Sequence, residues 1–188
     1  VLLPTMHQSS LGSVLLIMGS KLSPLWYTIW LPLLFLISAL AMGYGVVMLE
    51  ATLVNRAFKT PSEARLFARL ARVVAGLLAG YLLLRWGDLA YRGYLGLAFA
   101  GDWDGNLFLI ETVLFLVPLF VLVSHRRTSQ RWQFLAAVSL LAGGSLYRLN
   151  AYLMAVRPGN GWTYFPSAPE LMITIGVICL EIMHYLLF

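Results

Sequence analysis

An all-α, polytopic transmembrane helix bundle is the fold class this sequence predicts, and three observations predict it. Hydrophobic residues fill 60% of the 188 positions and charged residues only 11%, against roughly 25% charged in soluble globular domains. The apolar residues collect into five stretches of bilayer-crossing length, since a spanning helix needs about 20 mostly apolar residues. No period-2 alternation of the kind a transmembrane barrel requires is present. Gly (16 residues) and aromatic residues (13%) are plentiful, in keeping with close helix packing and with Trp and Tyr near membrane interfaces.

Taken in order, residues 1–19 read as a helix end, a polar corner at His7, Gln8, Ser9 and Ser10, and a short apolar piece, "LGSVLLIMG". That piece is too short to cross and is expected to lie along or dip into the interface. The expected spans are 31–54, 66–86 (continuing helically to about Tyr94), 106–124, 132–156 and 169–188. The opening "VLLPTM" and the closing "EIMHYLLF" both read as helices cut short, so residues 1–188 are expected to be one membrane domain, a fragment of a longer protein.

The charges between the spans give an orientation. Arg56, Lys59, Arg65, Arg69 and Arg72 lie around the first junction, and Arg126, Arg127 and Arg131 around the third. The alternate junctions hold Lys21, Arg157, and Arg85 and Arg92 offset by Asp88, Asp102 and Asp104. Positive residues concentrate on the cytoplasmic side. The His7 corner and "RPGNGWTYFPSAPE" are therefore expected on the periplasmic side of a bacterial inner membrane. The net charge of +5 is topological and not a sign of nucleic-acid affinity. The single cysteine, Cys179, allows no internal disulfide, and no Cys-x-x-Cys pair is present to hold a metal cluster.

Ionisable groups at membrane depth cost a few kcal/mol each (roughly 2.5–3.5 on insertion scales), so their positions are the functional signal. On the outer side, Arg85, Asp88 and Arg92 follow one another at helical spacing. Glu111 and Arg148 lie at overlapping depth, so Glu111 with Arg148, or Asp88 with Arg148, could pair. Such pairs read either as structural ties between helices or as a polar lining for a headgroup site or proton exit. His7 reads either as part of a helix-end capping cluster or as a group that donates to a carbonyl and passes a proton, because imidazole titrates near pH 6.5. On the inner side, Glu50 follows the small-residue stretch Ala41, Gly43 and Gly45, and Glu181 shares a face with His184. Buried carboxylates suit proton uptake and release, and hydrogen bonding between helices is the plainer alternative. The three histidines, His7, His125 and His184, match poorly in depth, so no haem is expected from these residues.

The motif "LPTMHQSSLGS" (Leu3–Ser13), with "PLWYT" and "LPLLFLISALAMGYGVVMLEATL", resembles the NrfD/polysulfide reductase membrane-subunit family, including the membrane subunits of hydrogenase-2-type nickel–iron hydrogenases. The resemblance continues through "LLRWGDLAYR", "LAFAGDWDGNLFLIE", "LYRLNAYL", "GNGWTYFPSAPELMITIG" and "EIMHY". The family's proteins are about twice as long, and the chain resembles their C-terminal half. The resemblance implies a haem-free, all-helical subunit beneath a periplasmic iron–sulfur partner, which relays electrons from a hydrogenase catalytic subunit to quinone. It implies His7 in "HQSSLG" as a quinone-site or proton-path residue, and Glu50 in "VMLE" as an acid on a proton route. Asp88 stands where relatives often carry Glu, and His184 falls outside the family pattern.

The function expected is hydrogen:quinone electron transfer with proton uptake, hydrogen cleavage lying on a partner. Quinone-site candidates are His7, Gln8, Ser9 and Arg148. Proton-path candidates are Glu50, Asp88, Glu111 and Glu181, and Arg85 and Arg148 are ion-pair candidates. No residue is expected to be catalytic or to bind a metal. The alternatives are a quinol-oxidising anchor of a molybdopterin-type reductase, an ion-coupled secondary transporter, for which an inverted repeat would be required, and a purely structural anchor.

Overall fold

The computed structural model describes residues 2–58, 64–157, 159 and 167–187. Its helices are α1 (Leu2–Met18), α2 (Leu31–Phe58), α3 (Ala64–Tyr91), the single turn α4 (Leu95–Ala98), α5 (Trp103–Val123), α6 (Gln130–Leu149) and α7 (Ala168–Leu187). Among the described residues there is no strand, only one antiparallel bridge between Leu22 and Val156. Among the described residues helix covers most of each of the five expected segments, and α2, α3 and α5 are long and apolar enough to cross a membrane. The protein is therefore a multi-pass membrane protein.

One expectation is overturned at the N-terminus. His7, Gln8, Ser9 and Ser10 form no corner, because α1 runs unbroken from Leu2 to Met18. Ser and Gln are tolerated in a helix interior once their side chains find local partners, and Ser13 Oγ donates to the Ser9 carbonyl at 3.0 Å. Gly12 then lets α1 lie directly on the start of α2. A Cβ at that position would sit 2.6 Å from Pro32 Cα and 2.7 Å from the Leu31 carbonyl oxygen.

The main packing is α5 on α6, α1 on α2 and α2 on α6, with α3 against α5 and α2. The shared core holds Leu15, Trp26, Phe35, Leu78, Tyr81, Phe108, Phe115, Leu140 and Tyr147. The start of α5 is set locally. Gly101 turns the chain at φ 75°, where only glycine is unstrained, and the Asp102 carboxylate caps the helix by accepting from the Gly105 N–H at 2.9 Å. Pro118 lies inside α5, and proline has no N–H to give the carbonyl four residues earlier. That carbonyl, Leu114 O, accepts instead from Ser139 Oγ of α6 at 2.8 Å. A gap in one helix's ladder has become a bond to its neighbour.

At its C-terminal end α6 changes winding. Asn150–Met154 forms a π turn, closed by the Ala155 N–H donating to the Asn150 carbonyl at 2.7 Å. The residues after it are tied to the segment leading into α2: the Ser23 N–H donates to Ala155 O at 2.8 Å and the Arg157 N–H to Lys21 O at 2.7 Å. Arg157 also meets Asp104 of α5 at 2.5 Å. These bonds fix where the starts of α2 and α5 meet the end of α6.

Candidate functional site

Beneath that junction, α3, α5, α6 and the loop before α2 enclose a charged pair. Arg85 of α3 and Glu111 of α5 are both buried, and Arg85 Nη1 lies 2.9 Å from Glu111 Oε1. Glu111 is bonded on both oxygens. Trp26 Nε1 (3.2 Å) and Asn150 Nδ2 (3.1 Å) donate to Oε2, and the Tyr81 hydroxyl donates to Oε1 at 3.4 Å. Arg85 Nη1 also donates to the Tyr81 hydroxyl oxygen at 2.7 Å. The guanidinium carbon stands 4.8 Å from the ring centres of both Phe108 and Tyr147, near enough for the ring faces to attract the cation. Among the described residues, Arg85 Nε, Arg85 Nη2 and the Tyr147 hydroxyl have no hydrogen-bond partner.

The aromatic layer continues from this pair toward α1. Tyr81 packs on Phe115 and Tyr147, and Tyr147 on Phe35, with ring centres 4.7, 5.7 and 5.0 Å apart. On the far side of Phe35 lies Arg148, its guanidinium carbon 5.7 Å from that ring. Arg148 Nη2 donates to Gln8 Oε1 of α1 at 3.1 Å, and Nη1 to the Gly144 carbonyl at 3.1 Å and to Met42 Sδ at 2.9 Å. Met42 is eleven residues into α2, about 16 Å along its axis at 1.5 Å per residue. The Gln8–Arg148 contact therefore lies well inside the helix layer and not at its rim.

The pairings differ from those expected. Arg148 joins neither Glu111 nor Asp88: Glu111 takes Arg85, and Asp88 takes Arg92 Nε at 2.7 Å, one turn along α3. The physical reason is reach. The π turn at 150–154 brings Asn150 onto Glu111, while Arg148, two residues earlier in the winding, is directed to α1 and α2. Gln8 and Arg148, both quinone-site candidates, are brought together, and Ser9 lies half-buried beside them on α1. His7, next to Gln8, is exposed. Asp88 borders a shallow cavity of about 250 Å³ with Trp30 and Tyr91. Glu50 is on the exposed side of α2, eight residues before its end at Phe58. The side chains of Glu181 and His184, like Lys59, Arg65 and most of the "RPGNGWTYFPSAPE" segment, lie outside the described residues.

Sequence reasoning passed over Trp26, Tyr81 and Asn150. Asn150 did leave a signal, as an amide in the otherwise apolar "NAYLMAV". Its burial in a helix requires a partner. Trp26 and Tyr81 left none, because a Trp or Tyr beside a membrane span reads first as an interface anchor.

With this geometry in hand, comparisons with known proteins are informative. The family described as "Polysulphide reductase, NrfD" matches residues 8–155. The "Probable Ni/Fe-hydrogenase 2 b-type cytochrome subunit" of Escherichia coli (strain K12) is 44% identical over 189 residues, covering 98% of this chain and 48% of that protein. A protein of Nitratidesulfovibrio vulgaris is 30% identical over 193 residues, covering 95% of this chain and 48% of its own length. The chain thus spans about half the length of the curated relatives it matches. No solved structure matches it significantly.

Proposed function

The chain belongs to the NrfD, polysulphide reductase family, and on that premise we propose that it forms half of the membrane subunit of a hydrogen:quinone oxidoreductase. The observation that carries this reading is the 44% identity with the hydrogenase 2 subunit over 98% of the chain. In this reading a periplasmic iron–sulfur subunit delivers two electrons, one quinone takes them with two protons, and quinol leaves. Hydrogen cleavage belongs to the partner that supplies the electrons.

Within the chain, the quinone head would be received at the α1–α6 contact. Arg148 and Gln8 offer hydrogen-bond donors inside the helix layer, and His7, one residue away, supplies a donor and a proton. Because His7 is exposed, the quinone would approach from the open side of α1. Protons would enter from the basic side past Glu50 and Glu181, and Asp88 would serve the opposite side. For Glu111 the bonding pattern favours holding over carrying. Donors from Trp26, Tyr81, Arg85 and Asn150 occupy its carboxylate, so a proton moving there would have to break contacts that join four segments.

The name of the Escherichia coli relative includes a b-type cytochrome, but His7 and His125 do not suit a single haem as an axial pair. His125 stands in the 3₁₀ turn before α6, while His7 lies at the level of Arg148, eighteen residues along α6 from Gln130. At 1.5 Å per residue the two are separated by on the order of 25 Å, too far to share one iron. No step is assigned to haem.

The reading is tested in the purified full-length complex by hydrogen-dependent quinone reduction. His7→Ala, Arg148→Gln and Glu50→Gln should each lower turnover at least tenfold while hydrogen oxidation with an artificial electron acceptor is retained. Arg148→Gln should in addition raise the KM for quinone. Wild-type turnover in all three variants would remove them from the mechanism. The family's own description as a polysulphide reductase favours one second reading, a quinol-oxidising anchor. Recovery of a molybdenum-containing partner in place of a nickel-containing one would establish that reading instead.

A further inference from the structure

The basic ends of α2 and α6 enclose a cavity of about 450 Å³ that the electron-transfer reading leaves unused. Arg56, in the last turn of α2, and Arg131, in the first turn of α6, both line it, as does Gln130. No acidic residue lines it among the described residues, and neither arginine is in an ion pair there. Glu50, the acid on the same helix, is not part of the lining. Thr52 and Asn55 add polar groups to the wall, and Leu53 and Phe134, 51% and 41% exposed, give it an apolar flank open to the side.

Two guanidinium groups from different helices at one cavity give an anion two cationic partners at once. Each guanidinium presents a planar set of donors that matches phosphate oxygens two at a time. The first turn of α6 adds to the same field. Its N–H groups have no partner within the helix, and the Ser129 side chain makes no capping bond to them. A polar, cationic pocket at the mouth of two spanning helices, with an apolar flank facing the acyl region, fits a lipid headgroup better than a free ion. Basic pockets between transmembrane helices on the cytoplasmic side are a recurrent form of anionic-lipid site.

We propose that the pocket between the ends of α2 and α6 binds an anionic phospholipid. Its phosphate lies between Arg56 and Arg131, and an acyl chain runs along Leu53 and Phe134. The site stands apart from the Gln8–Arg148 contact, which lies toward the other end of α6.

The test is native mass spectrometry of the full-length complex. It is delipidated and then titrated with phosphatidylglycerol or phosphatidylethanolamine in detergent, with and without millimolar inorganic phosphate. Phosphatidylglycerol should be retained at least tenfold better than phosphatidylethanolamine, and inorganic phosphate should not displace it. Arg56→Gln with Arg131→Gln should abolish that preference, Arg56→Lys with Arg131→Lys should restore part of it, and Arg72→Gln, an exposed basic residue of α3, should leave it intact. Equal retention of the two lipids, displacement by inorganic phosphate, or an unchanged preference in the double glutamine variant would each overturn the proposal. Quinone reduction plays no part in the readout, so failure here is distinguishable from failure of the electron-transfer reading.

Discussion

Arg85 and Glu111 show how a membrane interior accommodates full charges. Each alone would be costly among apolar helices. Together, with Trp26, Tyr81 and Asn150 donating or accepting around them, they satisfy both oxygens of Glu111 and one end of the guanidinium, while Arg85 Nε and Nη2 are left to the ring faces of Phe108 and Tyr147. Such a pair adds little net stability compared with a well-packed apolar pair, but breaking it leaves a buried charge unmatched, at roughly 3–5 kcal/mol. Glu111→Gln should therefore lower the unfolding free energy of the full-length protein in detergent by about that amount. Adding Arg85→Met should recover most of the loss, since glutamine still accepts from Trp26 and Asn150 once the cation is gone. Thermal or denaturant unfolding of the three variants measures this, and a Glu111→Gln protein as stable as wild type would show that the pair is not what holds α3 to α5.

At the level of the helix, irregularity rather than regularity positions the polar groups. The π turn at Asn150–Met154 carries Asn150 onto Glu111, and Tyr152 in the same turn donates to the Leu11 carbonyl of α1 at 3.0 Å. Pro118 has the corresponding role in α5, freeing the Leu114 carbonyl for Ser139. Ser139→Ala should cost about 1 kcal/mol or less, the usual worth of one such bond. In a Pro118→Ala background the cost should shrink, because residue 118 then supplies the N–H that Leu114 lacks. A double-mutant cycle on unfolding free energies reads the coupling directly, and equal losses in both backgrounds would separate the serine from the proline. The proline was visible in the sequence. Its partner was not, because Ser139 lies 25 residues away on the next helix.

Across the molecule, charge is sorted by end. Asp88, Asp102, Asp104, Arg92 and Arg157 gather where α3 ends, α5 begins and α6 closes, where Asp88 pairs with Arg92, Asp104 with Arg157, and Asp102 caps α5. Arg56, Arg126, Arg127 and Arg131 gather at the opposite end, where Arg126 stacks on Trp132 at 4.3 Å. If the basic end is cytoplasmic, a membrane-impermeant thiol reagent applied to intact cells should label Ala100→Cys and leave Thr128→Cys unlabelled, in a Cys179→Ser background. The reverse pattern would invert the orientation, and with it the side from which protons reach Glu50.

The helices, their approximate limits and the family were legible in the sequence, because a continuous apolar run can satisfy its backbone in lipid only as a helix and motifs such as "HQSSLGS" and "LYRLNAYL" survive without any fold. Composition likewise marked Arg85, Glu111 and Arg148 as charges needing a reason. Which partner each charge took was decided only in three dimensions. A one-dimensional depth estimate left Glu111 and Arg148 as neighbours, but side-chain direction depends on helix rotation, on the extra residue in the π turn and on how closely Gly12 lets α1 approach α2. Those are properties of packed surfaces, and they gave Glu111 to Arg85, Asp88 to Arg92 and Arg148 to Gln8. The continuous α1 in place of a polar corner has the same origin: tertiary contacts through Gly12 and Gln8 hold as helix a stretch whose local polarity reads as an end.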